Sequence, residues 1–409
     1  MKTYKEALRL ALDLVCPLPP KSMPLTDVLG LVVAGDVVAT DSVPPFTNSA
    51  MDGFVVRAAD CASASTSSPV KIRVVGEIQA GRSAVCNLSV GVSYRIMTGA
   101  VIPSGFDTVI PVEETRDVDD WIEVFKRPNQ GDHVRLVGED ISVGELTIPR
   151  GRLLRPAEIG VLATIGCTEV LVHPRPIVAV ITTGNELINA SECPLLGQIR
   201  DANIYSMCAQ VRTVGALTNP HPRVPDDLKA VTDVLISAVA ESDLVLINGG
   251  ISVGDFDYTK TALKNLGAEQ AFWRVAQKPG RPMGMWLLDG KLIFGIPGNP
   301  VAAMIVFEEY VRPVLRRMMG YKYIYRPESV GIMDASWHKS NADGRMHFLR
   351  VAIRSHEQQL HVISIGPQGS GLLSSMMRAN ALALIPAETL IVPAGGEVLL
   401  HLTDEPEDH

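Results

Sequence analysis

Between residues 176 and 320 the chain carries three short runs, PIVAVI at 176–181, DLVLIN at 243–248 and KLIFGI at 291–296, that are almost wholly apolar. A strand with one face in water alternates apolar and polar residues. These runs do not, so each reads as a strand buried on both faces. Helical spacing recurs between and after them, at 203–214, 227–240 and 258–266. Buried strands alternating with helices imply a parallel sheet covered on both sides, a doubly wound α/β domain. One more helix is expected over 300–318. Asn299 can cap it and Pro300 takes its first position. Ala303, Phe307, Tyr310, Val314 and Met318 form its buried stripe, and Pro313, inside that pattern, predicts a kink.

The rest of the 409 residues has a different texture. At about 100–200 residues per domain the length suits two to four domains. Residues 4–15 read as an amphipathic helix with Ala7, Leu8, Ala11, Leu12 and Val15 on one face, stopped by Pro17, Pro19 and Pro20. Residues 28–46 are apolar and extended. From 54 to 150, short β-type runs (KIRVVGEI, YRIMT, DTVIPVEE, WIEVF, HVRLV) alternate with Gly, Pro and Ser turns and read as an all-β insert. CASASTSSP at 61–69 reads as a surface loop. PAEIGVLATIG is a short helix with Pro156 near its start. Residues 151–172 are expected to pair with 28–46, making one domain of two separated pieces. Beyond 327, SVGIM, LRVAI, LHVISI, ALALIP and EVLLHL predict a small β-barrel or sandwich.

Composition narrows the function. The formal net charge is −8 and no block of consecutive basic residues occurs, which argues against nonspecific nucleic-acid binding. Local positive charge can still hold a small anion. The six cysteines form no CxxC pair and the nine histidines no HExxH, so the thiols read as reduced and the compartment as cytoplasmic. Glu6, Arg9 and Asp13 break any signal-peptide core, and no apolar run reaches the ~18–20 residues of a membrane span.

In a doubly wound sheet, ligands bind beyond the carboxyl ends of the strands. TTGNE (182–186) follows the first run, GGISVGDFDYT (249–259) the second and PGNP (297–300) the third, while QKPGRP (277–282) precedes the third. There is no GK[ST] and no GxGxxG, which leaves ordinary ATPase and dinucleotide folds unsupported. Taken singly, each feature has a plain explanation. Gly249, Gly250 and Gly254 can make a tight turn; Asn299-Pro300 can simply start a helix; Asp201 can cap one; Asp52 can sit in a turn; Glu186, Lys278 and Arg281 can be solvated. Their common place on one sheet rim points instead to a metal-assisted reaction on a phosphoanhydride. Glycine amides and a helix N-terminus hold phosphate oxygens, and Lys278 and Arg281 neutralise them. Asp255 and Asp257 would face the phosphates across Mg²⁺.

Six segments, PPFTNSAMDGFVVRAAD (44–60), VGEDISVG (137–144), TTGNELI, GGISVGDFDYT, KPGRP and GIPGNPVAA, together resemble the molybdopterin molybdenumtransferase (MoeA) family, which includes the gephyrin E domain. The resemblance covers nearly the whole chain. It implies a homodimer of four-domain subunits, with domains at 1–45 plus 141–172, 46–140, 173–326 (the molybdopterin-binding fold) and 327–409. The implied reaction inserts molybdate into adenylylated molybdopterin and releases AMP, with Mg²⁺ as cofactor. Implied catalytic residues are Asp52, Thr98, Asp140, Glu186, Asp226, Asp257, Lys278 and Arg281, the last standing where many members have lysine. Glu186 and Asp257, with Asp255 beside them, would touch the metal. Thr183, Gly184, Gly249, Gly250, Ser252, Gly254, Pro297, Asn299 and Pro300 would cradle the pterin nucleotide. So would Arg350 or Arg345, and Ser375 or Ser374. The family assembles its cleft across the dimer, so Asp52 and Thr98 are expected to act on the partner's 173–326 domain. Implied partners are a molybdopterin adenylyltransferase and molybdoenzyme maturation factors, with no nucleic acid and no membrane. The competing readings are an adenylyltransferase one step earlier and a non-catalytic dimeric scaffold like gephyrin.

Overall fold

The computed structural model describes residues 1–82, 88–250, 258–339 and 341–404. The chain packs as two compact units, one of Met1–Lys21, Gly30–Ala34 and Leu171–His409, the other of Ser22–Leu29 and Gly35–Val170.

The first unit is built on a six-stranded sheet. In spatial order its strands are Leu217–Pro220, Ile177–Thr182, Leu244–Asn248, Lys291–Ile296, Gly284–Leu288 and Glu269–Trp273. The three runs read as buried strands are the three central parallel ones. Alternate residues face two separate cores. Val178, Val180, Leu244 and Leu246 pack with the helices Asn203–Val214 and Pro300–Val306. Ala179, Ile181, Val245 and Ile247 pack under Leu228–Glu241 and Tyr258–Asn265. Burial on both faces is why these strands show no polar alternation.

The sheet is not parallel throughout. Gly284–Leu288 runs antiparallel to Lys291–Ile296, and Glu269–Trp273 antiparallel to Gly284–Leu288. The cause is local: Asp289 and Gly290 both take positive φ (51° and 74°), the conformation of a two-residue hairpin turn. The kink expected at Pro313 is a π-turn. The last helix runs as Pro300–Val306, a π-helical turn Phe307–Val311, then Arg312–Met318. Pro313 has no N–H to give Glu309, and its ring would press on that carbonyl; widening the turn relieves both.

Beyond the sheet, strands Met346–His356, Gln359–Ser364, Glu328–Met333, Glu397–Leu402 and Ala381–Ile385 close back on the first as a five-stranded barrel. Val351, Ile353, Val362, Ala383 and Leu400 fill it. Gln277–Lys278 adds to the barrel as a short parallel strand on Met346–His347. The N-terminal helix Tyr4–Asp13 is two residues shorter than its apolar pattern and opens with a Thr3/Glu6 capping box. It packs on the last helix, with the Tyr4 ring edge-on to Tyr310 and Phe348.

The second unit is mainly β. Its six-stranded sheet orders Thr108–Pro111, Gly53–Val56, Val92–Ile96, Val70–Ile78, Trp121–Val124 and Thr115–Val118. Val37–Val38 pairs with Leu146–Ile148, and the helix Pro156–Thr164 starts with Pro156 as expected. The 61–69 stretch is only partly a surface loop: Cys61 and Ala64 are buried in the core with Phe54, Ile72 and Ile110. The expected pairing of separated segments occurs through Val172 with Val33 and His173 with Val32, inside the first unit. Among the described residues no helix is long and apolar enough to cross a membrane.

Candidate active site

At the carboxyl rim of the sheet, side-chain amides sew the loops together. Asn248 ends its strand 2% exposed. Its Nδ2 donates to the Pro297 carbonyl at 2.6 Å, and its Oδ1 accepts from Asn203 Nδ2 at 2.8 Å. Asn203 Nδ2 also donates to the Gly298 carbonyl at 2.7 Å, and the Thr183 amide donates to the Asn248 carbonyl at 2.9 Å. Four segments are thereby held at one edge: 183–186, 203, 248–250 and 297–298.

The glycines are required by space. Gly249 has φ +98°, and a Cβ there would lie 2.5 Å from the Thr183 carbonyl oxygen. Gly250 has φ +61°, and a Cβ would lie 2.6 Å from Thr259 Oγ1 and 3.3 Å from Thr183 Oγ1. Both threonine hydroxyls are buried with no hydrogen-bond partner among the described residues. Orphaned buried hydroxyls beside a bare backbone turn, at the start of helix Tyr258–Asn265, suit an anionic or polar ligand. Ser252, Gly254, Asp255 and Asp257 lie outside the described residues.

Glu186 is exposed, and its carboxylate folds back over Gly184: a Cβ at Gly184 would stand 2.7 Å from Glu186 Oε2. Asp226 holds the same loop, accepting from the Asn185 amide at 3.2 Å while its own amide donates to Asn185 Oδ1 at 3.1 Å. Asp201 accepts from the Ile204 amide and from Thr182 Oγ1, so both its oxygens are engaged. Among the described residues no group of three or more His, Cys, Asp or Glu side chains is arranged to hold a metal. Of the three expected metal ligands only Glu186 is described.

Lys278 and Arg281 are exposed, and neither side chain makes a hydrogen bond or ion pair among the described residues. Across the pairing from Lys278, His347 Nε2 lies 2.9 Å from Asp343, which also takes Arg345 Nη2 at 2.7 Å. Burial pushes the His347 imidazole down, and the Asp343 carboxylate opposes it. Asn299 begins the last helix but does not cap it with its side chain; Nδ2 donates instead to Ser370 Oγ at 3.0 Å. Pro297 is buried and Pro300 half-buried. Arg350 is 1% exposed: its guanidinium donates to the Gly369 and Pro367 carbonyls, and among the described residues Nε has no partner. Ser375 is buried with its hydroxyl on the Leu372 carbonyl, while Ser374 is exposed.

In the second unit Asp52 and Thr98 are joined. Asp52 Oδ1 accepts from both the amide and the hydroxyl of Thr98, each at 2.7 Å. The hydroxyl donation first, then the amide, holds the Asp52 carboxyl below its ordinary range. Gly53 beside it cannot be replaced without movement, since a Cβ would fall 2.2 Å from the Ile110 carbonyl oxygen. Asp140 is exposed on a separate turn, where its amide donates to the Val43 carbonyl.

Residues 2–166 match the MoeA N-terminal region (domain I and II), residues 179–317 a probable molybdopterin binding domain, and residues 332–403 the MoeA C-terminal region (domain IV). Molybdopterin molybdenumtransferase 2 of Mycobacterium tuberculosis is 36% identical over 403 residues, 97% of this chain and 98% of its own. The chain belongs to the MoeA family. A second relative, molybdopterin molybdenumtransferase of Staphylococcus epidermidis, is 33% identical over 98% of this chain and 96% of its own. The solved molybdopterin biosynthesis MoeA protein of Pyrococcus horikoshii superposes with a TM-score of 0.82 at 29% identity, covering 98% of this chain and 99% of that one. In this MoeA chain, sequence reasoning missed Asn203, Asn248 and Thr259. The signal for Asn248 was available: an amide closing an otherwise apolar strand needs partners.

Proposed function

We propose that this protein is a molybdopterin molybdenumtransferase that inserts molybdate into the dithiolene of adenylylated molybdopterin and releases AMP. The observation that carries the reading is the Gly249-Gly250 turn, wedged against Thr183 and flanked by two buried hydroxyls without partners. The turn's amides and the start of helix Tyr258–Asn265 would take phosphate oxygens, with Thr183 and Thr259 orienting them. Lys278 and Arg281 would supply the positive charge that the negative chain otherwise lacks here. Arg350 shapes the 367–369 turn through its carbonyls.

The Glu186 carboxylate accepts no hydrogen bond among the described residues, the carbonyl alone taking the Ile199 amide, which fits a carboxylate reserved for a cation. With Asp257 or Asp255 it would hold Mg²⁺, whose charge would offset that building on the cleaved phosphates. Asp52 and the Thr98 bonded to it are proposed to serve the partner subunit of a homodimer, with Asp140 as a further catalytic acid. The division at 46–140, 173–326 and 327–409 is retained, with residues 141–172 joined to the segment before 46 and the N-terminal helix packed on the last helix. Cytoplasmic location and hand-over from an adenylyltransferase to maturation factors complete the proposal.

The deciding assay supplies adenylylated molybdopterin with molybdate or tungstate, with and without Mg²⁺, and measures AMP and active cofactor. AMP release with cofactor formation is expected. Turnover only with ATP and unmodified molybdopterin would instead mean the adenylyltransferase, and no turnover with either would mean a scaffold. Mixing Asp52→Ala with Glu186→Ala subunits should restore about one working site per mixed dimer. Mixtures as dead as both dimeric parents would rule out the shared site.

A further inference from the structure

The π-turn of the last helix does more than accommodate Pro313. It presents three consecutive buried polar side chains, Glu308, Glu309 and Tyr310, to three different parts of the first unit. Glu308 pairs with Arg326, and Glu309 takes the Tyr4 hydroxyl and His401. Tyr310 donates its hydroxyl to Gln277 Oε1, and both residues are fully buried. Burial first, with the Glu309 charge, holds the Tyr310 phenol well above its ordinary value, so it stays a neutral donor.

Gln277 is the residue before Lys278. Its other amide end, Nε2, donates to the Pro279 carbonyl at 3.0 Å, spanning the lysine. Gly280 closes the turn at φ +96°, where a Cβ would lie 2.6 Å from Gln277 Nε2 and 2.8 Å from Val306 Cγ2. On the barrel side the Met346 amide donates to the Ala276 carbonyl at 3.0 Å, and Gln277–Lys278 pairs with Met346–His347. Among the described residues no hydrogen bond or ion pair engages the Lys278 side chain, while its backbone is fixed from both sides.

We infer that Tyr310 is a positioning residue for Lys278: its hydroxyl orients the Gln277 amide, and that amide sets the 277–280 turn that carries the lysine toward substrate. An amide side chain can rotate by half a turn and exchange donor for acceptor. The Pro279 carbonyl can only accept, so the Gln277 nitrogen faces it and the oxygen faces the π-turn, where the Tyr310 hydroxyl donates to it. Without the hydroxyl the buried Gln277 oxygen has no donor left among the described residues, and the amide is held at the Pro279 end alone. The inference rests on the proposed role of Lys278 at the anionic substrate.

Tyr310→Phe tests it, since the ring and its packing are kept. Two readouts are compared in full-length protein: amide exchange over 277–281 by mass spectrometry, and kcat/KM for cofactor formation. We expect exchange over 277–281 to accelerate on the order of tenfold, with strand Glu328–Met333 unchanged. We expect kcat/KM to fall about tenfold, the scale of a small misplacement of a substrate-binding group. Added to Lys278→Ala, the same change should cost less than about twofold, because the relay then has nothing to place. Unchanged exchange over 277–281, or an equal loss in both backgrounds, overturns the inference. Should Tyr310→Phe melt well below the wild type, Gln277→Met cuts the same relay at its middle and is read by the same two measurements. Full activity of Lys278→Ala would remove that lysine from the site, a separate failure that the exchange result does not share.

Discussion

Replacing Asn248 by leucine removes the amide that ties the rim together while nearly conserving volume. Two bonds are lost, to Pro297 and from Asn203. Asn203 keeps its bond to the Gly298 carbonyl, so breaking its link to Asn248 costs about 1 kcal/mol net. The Pro297 carbonyl is worse placed, because among the described residues no other donor reaches it and Pro297 is buried. A stranded buried acceptor costs about 1–3 kcal/mol. The sum, about 2–4 kcal/mol, is a large share of the roughly 5–15 kcal/mol that holds a domain together. Local opening at the strand ends should become about 30- to 700-fold more frequent, at about 1.4 kcal/mol per factor of ten. Amide exchange at Thr183 and Gly249, whose N–H groups bridge neighbouring strands there, reads this directly. Asn248→Leu should melt about 4–16 °C lower if the first unit behaves like other domains of 150–250 residues. Exchange at both amides within threefold of the wild type would refute the argument that this amide, rather than the apolar sheet beneath it, holds the rim.

Gly249→Ala forces a Cβ against the Thr183 carbonyl at a left-handed φ and should lose about 1–3 kcal/mol of stability by thermal melting; an unchanged melt would mean the turn can relax. Thr98→Val keeps the amide donor to Asp52 but deletes the hydroxyl, so the Asp52 titration should move up toward the ordinary carboxylate range when followed by NMR. An unmoved titration would show that the amide alone suffices. Glu158 accepts from Arg155 and Arg152, which holds its carboxyl at about 2 against an ordinary 4.5. A depressed folded-state value means the contribution is complete above pH 4.5 and is lost as pH falls toward 2. The gap in melting temperature between wild type and Glu158→Gln should close over that range, and a gap that survives at the acid end contradicts the assignment.

The parts of the fold that were legible were those set by local pattern. The three central strands and the helices Asn203–Val214, Leu228–Glu241 and Tyr258–Asn265 follow directly from apolar periodicity. The antiparallel strands at the sheet's far edge were missed although Asp289-Gly290 is a strong hairpin signal, because KLIFGI was read without its partner. The π-turn could not be read from Pro313 alone, since a proline in a helix can kink, break or widen it depending on what packs around the turn. At the site, glycines and charged residues stood out as motifs. The amide ties through Asn203 and Asn248 did not, because their meaning lies in partners 45 and 49 residues away in the chain. Asp52 and Thr98, 46 residues apart, were named as site residues only from resemblance, and the hydrogen bond that joins them was not foreseen.

The last described strand, Glu397–Leu402, is the stave between Glu328–Met333 and Ala381–Ile385. A chain ending before it would expose two raw sheet edges at once, each a template for another molecule. Loss of the final dozen residues would therefore be felt far from the terminus, as clumping of the protein and as wandering of the strand on which Lys278 is hung.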